Sequence, residues 1–405
     1  MNNKILFFPQ NNEHILNMNP VFDILTEKGL HCEYIDTRKV YNQPLNFNPK
    51  HELAEVTLPE IETSFYQLNS LDRIMYLRTI IKTVAKLTSQ YDLIVFGNDG
   101  AIQRIINYHA KKKGKVTVMI LDGLVGSSKY SYKDIFLYSK EKTKDIKQKI
   151  IKDLKYTISK RFSGTFLSPY LPSTIGSSNL NEIYTIGEFS KSYINSHKHK
   201  LTKVFSYGLP RMKTHFFNNE VSFAPKMHKS VCFITSAYKW HNLEHFHEFQ
   251  IQDILMIHQC LQDIYPKDNK AILYIKLHPR EREEDYAFIK NYKHMQLVTD
   301  EPLTSTFANY SVFYSNISTC IVEGLNRGII VNSVMINFPY WKFKNSFLKD
   351  PSIHKIFTKE EMIKTLKESL EKETINYKNI SENNFLTKET INSVENISNN
   401  ILQLV

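Results

Sequence analysis

A strand–helix–strand unit in the first third of the chain limits the folds that this sequence can adopt. Residues 92–96 (DLIVF) and 116–121 (VTVMIL) are short apolar runs that predict buried strands. Between them, residues 97–100 (GNDG) predict a tight turn, and residues 101–113 predict a helix that Gly114 ends. Because parallel strands need a crossover of about a dozen residues or more, the unit predicts a parallel sheet with right-handed connections.

The same alternation recurs along the 405 residues, which are too many for a single core. Further strands are predicted at 4–8, 31–35, 182–186, 202–206, 230–235, 271–277, 295–299, 311–315 and 329–333, and further helices at 15–28, 70–88, 139–162, 248–263, 318–327 and twice within 358–405. We therefore expect an α/β protein with two doubly wound Rossmann-like domains that face a cleft. The N-terminal domain would span 1–211 and the C-terminal domain 229–350, with a linker at 212–228 and C-terminal helices at 351–405.

Composition and charge indicate where the protein is located and which class of partner it binds. The formal net charge of +11 favours an anionic partner, such as a nucleotide, a polyanionic glycan or an acidic membrane surface. Signatures of nucleic-acid binding are absent from the sequence. No apolar run reaches the roughly 18–20 residues of a membrane span, and the first apolar run is too short for a signal peptide, which predicts a cytoplasmic protein. The four cysteines form no CxxC pair and are expected to be buried free thiols.

The segment 139–162 predicts a strongly basic amphipathic helix. It carries nine Lys and Arg residues against three acids. Its apolar residues share one face, namely Ile146, Ile150, Ile151, Leu154 and Ile158. Such a helix is typical of a solvated surface element packed on its domain. It is also the pattern of a helix that binds anionic lipid, here at the inner face of the cytoplasmic membrane.

A histidine ends the longest buried strand of the second half. The run 271–277 stops at His278 because Pro279 cannot donate to a strand ladder and holds the preceding residue extended. The imidazole is therefore expected at the carboxyl end of a strand, where open α/β sheets bind their ligands. With Lys276 and Arg280 beside it, His278 could stabilise charge on a departing phosphate, although an isolated His-Pro can also simply end a strand.

Hydroxyl groups follow the strand predicted at 311–315. Ser315, Ser318 and Thr319 lie where this strand ends and the next helix begins. Hydroxyls and free backbone N–H groups at such a point suit a phosphate, although any helix start favours the same residues. Glu323 follows one turn later and would lie near a ribose or base, or at the surface.

Two Asp-Gly pairs supply carboxylates at predicted strand ends in the first domain. Either Asp99 or Asp122 could be the general base that a transferase needs to activate an acceptor hydroxyl, and either could be an ordinary turn residue. We prefer Asp122, because Gly123 and the loop at 124–130, which includes Ser127, could border an acceptor.

Metal and cofactor sites are not indicated. The histidines at 241, 245 and 247 could bind a metal ion only if a helix brought the first two together, and a polar loop at the cleft rim is the favoured interpretation. The sequence has no P-loop, no GxGxxG and no DxD at a strand end. A sugar transferase built on this pattern would work without a metal ion or a cofactor.

Three short motifs carry a resemblance to a known family. KLHP at 276–279 and ST at 318–319 resemble the His-Pro and Ser/Thr-Ser/Thr motifs of bacterial sialyltransferases and polysialyltransferases, and LDG at 121–123 resembles their acidic-acidic-Gly motif. The resemblance implies the GT-B fold and an inverting, metal-independent glycosyltransferase. Its donor would be a CMP-activated nonulosonic acid and its acceptor a glycan of capsule or lipooligosaccharide. Asp122 would be the base, and His278 with the two hydroxyls would hold the CMP phosphate.

The resemblance is incomplete, and other families compete with it. The first acidic position of the family motif is Leu121 here, which keeps Asp99 open as the base. The CDP-glycerol glycerophosphotransferases of teichoic acid synthesis share the GT-B outline and a Gly-x-Pro-Arg segment that resembles residues 208–211. They have His-Gly where this chain has Asp122 and Gly123, which favours sugar transfer. A Kdo transferase, a UDP-sugar epimerase and a non-catalytic nucleotide-sugar-binding subunit of a capsule complex remain alternatives.

Overall fold

The chain divides into two compact units, which are built from discontinuous segments. The computed structural model describes residues 3–126, 130–172, 174–212, 230–241, 243–266, 271–299, 303–326, 329–371, 390 and 392–405. The first unit contains Met1–Gly126, Ser139–Phe217 and Asn384–Val405, and the second contains Ser127–Tyr138 and Asn218–Asn383. The segment predicted as C-terminal helices is therefore shared between the units. Of the predicted linker, Met212 alone is described.

Among the described residues, each unit contains one six-stranded parallel sheet. In the part of the chain that the structure describes, the strands are β1 Lys4–Phe8, β2 His31–Tyr34, β3 Leu93–Phe96, β4 Val116–Ile120, β5 Glu182–Thr185, β6 Lys203–Ser206, β7 Ser230–Ile234, β8 Ile272–Lys276, β9 Met295–Val298, β10 Val312–Ser315, β11 Val331–Val334 and β12 Lys355–Ile356. The strand orders are β2-β1-β3-β4-β5-β6 and β12-β11-β10-β7-β8-β9, and all of these neighbours pair in parallel. This topology confirms the predicted pair of doubly wound Rossmann-like sheets and the GT-B fold class.

Helices flank both sheets. They are α1 Asn12–Glu27, α2 Arg38–Tyr41, α3 Ser70–Thr79, α4 Ile81–Gln90, α5 Ala101–Lys112, α6 Tyr132–Tyr138, α7 Lys142–Phe162, α8 Glu188–Asn195, α9 Glu244–Ile264, α10 Leu303–Asn309, α11 Cys320–Asn326, α12 Lys359–Glu371 and α13 Ser393–Leu404. Among the helices described, none combines the length and apolarity needed to cross a bilayer.

Two of the predicted helices differ in the structure: one is divided and the other starts later. The helix predicted at 70–88 is two helices that meet at Ile80, which is fully buried. The segment predicted as a helix at 139–162 becomes helical only at Lys142. Its start is displaced because the Ser139 hydroxyl accepts the Glu141 N–H at 3.0 Å and donates to the Asp145 carboxylate at 2.6 Å.

The first sheet is covered on both faces, which explains its nearly continuous apolar strands. Alternate residues of β1 point to opposite faces. Ile5 and Phe7 belong to the cluster that includes Ile397 of α13, whereas Leu6 and Phe8 belong to the cluster on the other face. The last helix of the chain therefore completes the core of the first unit.

Candidate functional site

The two sheets each have a point where the chain reverses direction across the sheet. From β1 the chain passes to β2 on one side, and it returns to β3 on the other side. In the second sheet the corresponding point lies between β7 and β10. Ligands of open α/β sheets bind outside the carboxyl ends of the strands at such points. The residues that follow these strands are therefore the first candidates for a site.

In the first unit, Asp122 is held by a histidine at this edge of the sheet. Its Oδ2 lies 3.1 Å from His14 Nε2, and Asn11 Nδ2 donates to the same oxygen at 3.5 Å. The His14 side chain is 1% exposed and the Asp122 side chain is 33% exposed. The carboxylate is therefore the accessible member of the pair.

Local structure at the start of α1 explains how these groups meet. Asn11 is the N-cap of α1, and its Oδ1 accepts the His14 N–H at 2.9 Å. His14 Nδ1 accepts the Gln10 N–H at 3.0 Å, so the ring proton lies on Nε2 and is donated to the Asp122 carboxylate. The His14 imidazole is therefore held in a fixed orientation against the carboxylate.

The charge state of Asp122 follows from these contacts. Burial raises the pKa of the Asp122 carboxyl, but the His14 imidazole and the Asn11 amide outweigh burial and hold this pKa below its ordinary value. The carboxyl is therefore ionised at neutral pH. Both side-chain donors contact Oδ2 of this carboxylate.

Glycine is required beside the histidine. A Cβ built on Gly97, the residue that follows β3, would overlap the His14 ring. The sequence motif at 97–100 had predicted only a turn, and His14 had no signal in the sequence. Gly123, by contrast, has no atom within 4 Å of an added Cβ, so space is open next to Asp122. Ser127, predicted on the acceptor side, lies outside the described residues.

Asp99, the alternative base, has a different environment. It is buried, and its Oδ2 accepts the N–H groups of Gly176 at 3.0 Å and Ser178 at 3.2 Å. The Ser178 hydroxyl donates to the same oxygen at 2.9 Å, and Arg104 pairs with it at 3.4 Å. These contacts anchor a loop of the first unit, and they argue against Asp99 as the general base.

In the second unit, the predicted hydroxyl pair lies at the reversal point. Ser318 is half-buried and accepts the Cys320 N–H at 3.3 Å, and Thr319 is exposed just before α11. Ser236, which follows β7, donates to the Ile317 carbonyl at 2.9 Å. The loop after β10 is thus fixed to the end of β7. Glu323, half-buried, follows in the first turn of α11.

Two residues that the sequence analysis assigned to donor binding have structural roles instead. Ser315 is fully buried, and its hydroxyl donates to the Ile234 carbonyl at 2.8 Å. Lys276 is buried, and its Nζ donates to the carbonyls of Leu277 at 3.0 Å and Thr299 at 3.2 Å. Both predictions are corrected, because these polar groups bind the backbone of their own unit.

His278 lies at the carboxyl end of β8, as its sequence predicted, and it is half-buried. Its N–H donates to Thr235 Oγ1 at 2.9 Å. Its Nδ1 accepts the Arg280 N–H at 3.2 Å, which leaves the proton of a neutral ring on Nε2. Arg280 and Pro279 are exposed, and the Arg280 guanidinium lies 5.8 Å from the centre of the Trp240 ring.

A buried glutamate that sequence analysis missed supports this histidine. Glu281 accepts the His278 N–H at 3.2 Å and the Tyr286 hydroxyl at 2.7 Å, and it also binds Thr235 and Gln250. Its side chain is 2% exposed, and burial raises the pKa of the Glu281 carboxyl. Glu281 thus fixes the backbone around His278. The charged tract after Pro279 gave no sign that one acid would turn inward.

Comparison with known proteins supports the fold. No protein-family model and no curated protein matches the chain. Among solved structures, it is similar to the UDP-GlcNAc 2-epimerase of Methanocaldococcus jannaschii in complex with UDP-GlcNAc and UDP, with 13% identity, a TM-score of 0.57 and coverage of 99% of both chains. The Neisseria meningitidis UDP-GlcNAc 2-epimerase bound to UDP-GlcNAc has 11% identity and a TM-score of 0.56, covering 99% of this chain and 100% of that one. A variant of the O. sativa protein Os79 in complex with UDP has 13% identity and a TM-score of 0.52, covering 98% of this chain and 94% of that one.

These similarities are at the level of the fold. They agree with the GT-B architecture that the sequence motifs implied. They do not distinguish the sialyltransferase-like family from other GT-B proteins, since the neighbours above were solved with UDP or a UDP-sugar.

Proposed function

We propose that the protein is an inverting, metal-independent glycosyltransferase. It would move a nonulosonic acid of the sialic or pseudaminic type from a CMP-sugar to a glycan or glycolipid hydroxyl in capsule or lipooligosaccharide synthesis. The observation that carries the proposal is the ionised, partly exposed Asp122 carboxylate, which His14 orients at the carboxyl edge of the first sheet. A carboxylate held in this way suits a general base.

The reaction is a single displacement at the anomeric carbon of the donor. The acceptor oxygen forms a bond to this carbon, and the bond from the carbon to the CMP phosphate oxygen breaks with its electron pair leaving on CMP. The acceptor proton passes to Asp122 Oδ1. Because glycosyl transfer proceeds through an oxocarbenium-like transition state, the acceptor proton is lost late and a weakly basic carboxylate is sufficient.

The second unit would bind the donor. In the proposal, the His278 Nε2–H and the hydroxyls of Ser318 and Thr319 stabilise the charge that develops on the CMP phosphate. Thr235 and Glu281 hold the His278 backbone, so the imidazole is positioned before the donor binds. Arg280, exposed beside it, would add positive charge for the nucleotide.

A UDP-sugar epimerase is the second candidate, and the similarity in fold to UDP-GlcNAc 2-epimerases favours it. A teichoic-type or Kdo transferase and a non-catalytic nucleotide-sugar-binding subunit also share the nucleotide chemistry. These candidates differ in whether they need an acceptor and in which products they release. The presence of the carboxylate at Asp122, where the glycerophosphotransferases have histidine, favours sugar transfer over glycerophosphate transfer.

An assay of nucleotide release separates the candidates. The protein is incubated with CMP-N-acetylneuraminate, CMP-Kdo, CDP-glycerol or UDP-GlcNAc, each with and without a lipooligosaccharide acceptor, and the nucleotides and sugars are resolved by chromatography. The proposal expects CMP release from the CMP-nonulosonate that depends on acceptor. Conversion of UDP-GlcNAc without acceptor would establish the epimerase instead, and binding without any product would establish the non-catalytic subunit.

A further inference from the structure

Three of the five residues on the apolar face of helix α7 are exposed to solvent. The side chains of Ile150, Ile151 and Leu154 are 52%, 42% and 56% exposed. In a surface helix that packs on its domain, this face would be buried. The prediction of an amphipathic helix is therefore correct in pattern, and the structure exposes the side that was expected to pack.

Polar contacts hold the opposite side of α7. Asp145 is buried and accepts the Ser139 hydroxyl at 2.6 Å, and the buried Ser159 donates to the Ser177 hydroxyl at 2.9 Å. Since successive helix residues are rotated by about 100°, Asp145 and Ser159 lie on the side opposite Leu154. The helix is thus fixed to the first unit by hydrogen bonds and leaves Ile150, Ile151 and Leu154 to solvent, whereas Ile146 and Ile158 are half-buried.

The exposed face is bordered by positive charge. Residues 142–162 contain eight Lys and Arg and two Asp. Of the two acids, Asp145 is buried and Asp153 pairs with Lys149 at 3.0 Å. By the same helical rotation, Lys147 lies about 20° from Leu154 and therefore within this face, and Lys155 lies about 100° from it, at the edge of the face. Their long side chains can keep the ammonium groups in a polar layer while the aliphatic part lies along apolar surface.

We propose that α7 is a docking surface for a bilayer that contains anionic lipids. Ile150, Ile151 and Leu154 would enter the boundary between headgroups and acyl chains, and Lys147 and Lys155 would contact anionic headgroups. A second copy of the chain fits this surface less well, because association through α7 would bring two strongly basic helices together. The inference goes beyond the proposed reaction and does not depend on it.

The test is sedimentation of the full chain with vesicles. One set is phosphatidylcholine alone, and the other is an equal mixture of phosphatidylcholine and phosphatidylglycerol. We expect binding to the mixed vesicles that weakens as salt is raised, because headgroup attraction is screened. Equal binding to both sets, or no binding to the mixed set, would overturn the proposal.

Variants separate the apolar and the basic contributions. The triple variant Ile150→Glu, Ile151→Glu, Leu154→Glu should lower the partition coefficient for mixed vesicles at least tenfold. Its matched control is Leu71→Glu with Met75→Glu, two exposed apolar residues one turn apart on α3, which should bind as wild type does. Binding by the triple variant at the wild-type level would contradict the assignment.

A charge variant keeps the test valid if the triple variant fails to fold. Lys147→Gln with Lys155→Gln removes two exposed charges and should weaken binding roughly fivefold per lysine. Binding of this variant at the wild-type level would also overturn the proposal.

Analytical ultracentrifugation tests whether a second copy of the chain covers α7 instead. Dimers of the wild-type chain that are lost in the triple variant would assign α7 to a second copy and overturn the membrane proposal. Turnover of a water-soluble acceptor should be unchanged in all α7 variants, so a failure of docking is distinct from a failure of the proposed reaction.

Discussion

At the scale of the residue, the central feature is that the Asp122 carboxylate has one oxygen engaged and is oriented by a buried imidazole. His14 is a positioning residue here, since Gln10 and Asp122 occupy its two ring nitrogens. In the proposed reaction, the carboxylate is therefore the group that takes the acceptor proton. Gly97, directly after β3, has no Cβ, and this lets the backbone approach the imidazole closely, because a Cβ there would overlap the ring.

Replacement of His14 should change the pH dependence of transfer. The imidazole helps to hold the pKa of Asp122 below its ordinary value, so wild-type activity should stay level from neutral pH until the pH falls below the ordinary Asp value of about 3.9. In His14→Ala, burial would act with less opposition and the pKa of Asp122 would rise. The acid limb of the profile of kcat/KM should therefore move to higher pH. The measurement is the pH profile of CMP release at saturating acceptor.

A matched control exists in the same unit. His51 is also buried and pairs with Asp23 at 2.7 Å. His51→Ala should lower the melting temperature, because a buried side chain is lost. It should leave the acid limb of the pH profile of kcat/KM unchanged. An acid limb that is unchanged in His14→Ala would contradict the positioning role.

Sequence reasoning predicted the positions of some candidate site residues and missed others for physical reasons. The positions of His278 and Asp122 after strands were predictable because each directly follows an apolar run, and a strand end is visible in sequence. His14 and Glu281 were missed because their roles depend on contacts with residues far away in the chain, 108 positions for His14 and Asp122 and 46 for Glu281 and Thr235. Ser315 was misassigned because one residue decides whether a hydroxyl at a strand end faces the sheet or the open edge.

At the scale of the element, a buried aspartate joins α9 to two strands of the second sheet. Asp253 accepts the Asn316 amide at 2.7 Å at the end of β10, and it accepts the Asn337 amide at 2.8 Å and the Asn337 N–H at 3.1 Å after β11. Burial is the dominant influence and raises the pKa of Asp253 to about 7. The hydrogen bonds of Asp253 therefore fix the loop that carries Ser318.

Asp253 should make the free energy of unfolding depend on pH. Between the unfolded pKa of about 3.9 and the folded value of about 7, the folded state binds more protons than the unfolded state. The contribution of Asp253 to the free energy of unfolding therefore falls as pH rises through this window. Asp253→Asn should remove this slope and, at pH 5, cost about 1–3 kcal/mol because its amide N–H groups face other donors. Urea denaturation of both proteins from pH 4 to pH 8 measures the difference, and parallel curves would contradict the assignment.

The final helix should be essential to the first unit. Ile397 of α13 is fully buried in the cluster that contains Ile5 and Phe7 of β1. Ile397→Ala should lower the free energy of unfolding by about 2–5 kcal/mol, through lost burial and a cavity. Ile150→Ala, at an exposed position, is the matched control and should change it by less than about 0.5 kcal/mol. Equal effects of the two substitutions would show that α13 is not part of this core.

At the scale of the whole molecule, the fold class was predictable and the composition of the units was less so. Short apolar runs that alternate with helical segments predict a parallel doubly wound sheet, because crossover connections of this length join parallel strands with a right-handed turn. The assignment of α13 to the first unit and of Ser127–Tyr138 to the second depends on contacts between distant parts of the chain. Local patterns such as turns and charge runs carry no information about those contacts.

The choice of nucleotide is a property of the whole protein and can be read from thermal stability. A ligand that binds only the folded state raises the melting temperature as its concentration rises. We expect CMP at about 100 times its Kd to stabilise the protein by about 2.7 kcal/mol, and UDP to give a smaller shift at equal concentration. His278→Ala should reduce the CMP shift, because the phosphate loses its imidazole partner. A larger shift with UDP than with CMP would favour the epimerase candidate.

The most direct test of the central claim is the turnover number of Asp122→Asn with a CMP-nonulosonate and its acceptor. The amide keeps the shape of the side chain and cannot take the acceptor proton, so kcat should fall by about 10²–10⁴ while the CMP-sugar still binds. Asp92→Asn, at the opposite edge of the same sheet and paired with Lys115 at 2.9 Å, is the matched control and should retain wild-type turnover. A kcat for Asp122→Asn within a few-fold of the wild-type value would contradict the assignment of this carboxylate as the base.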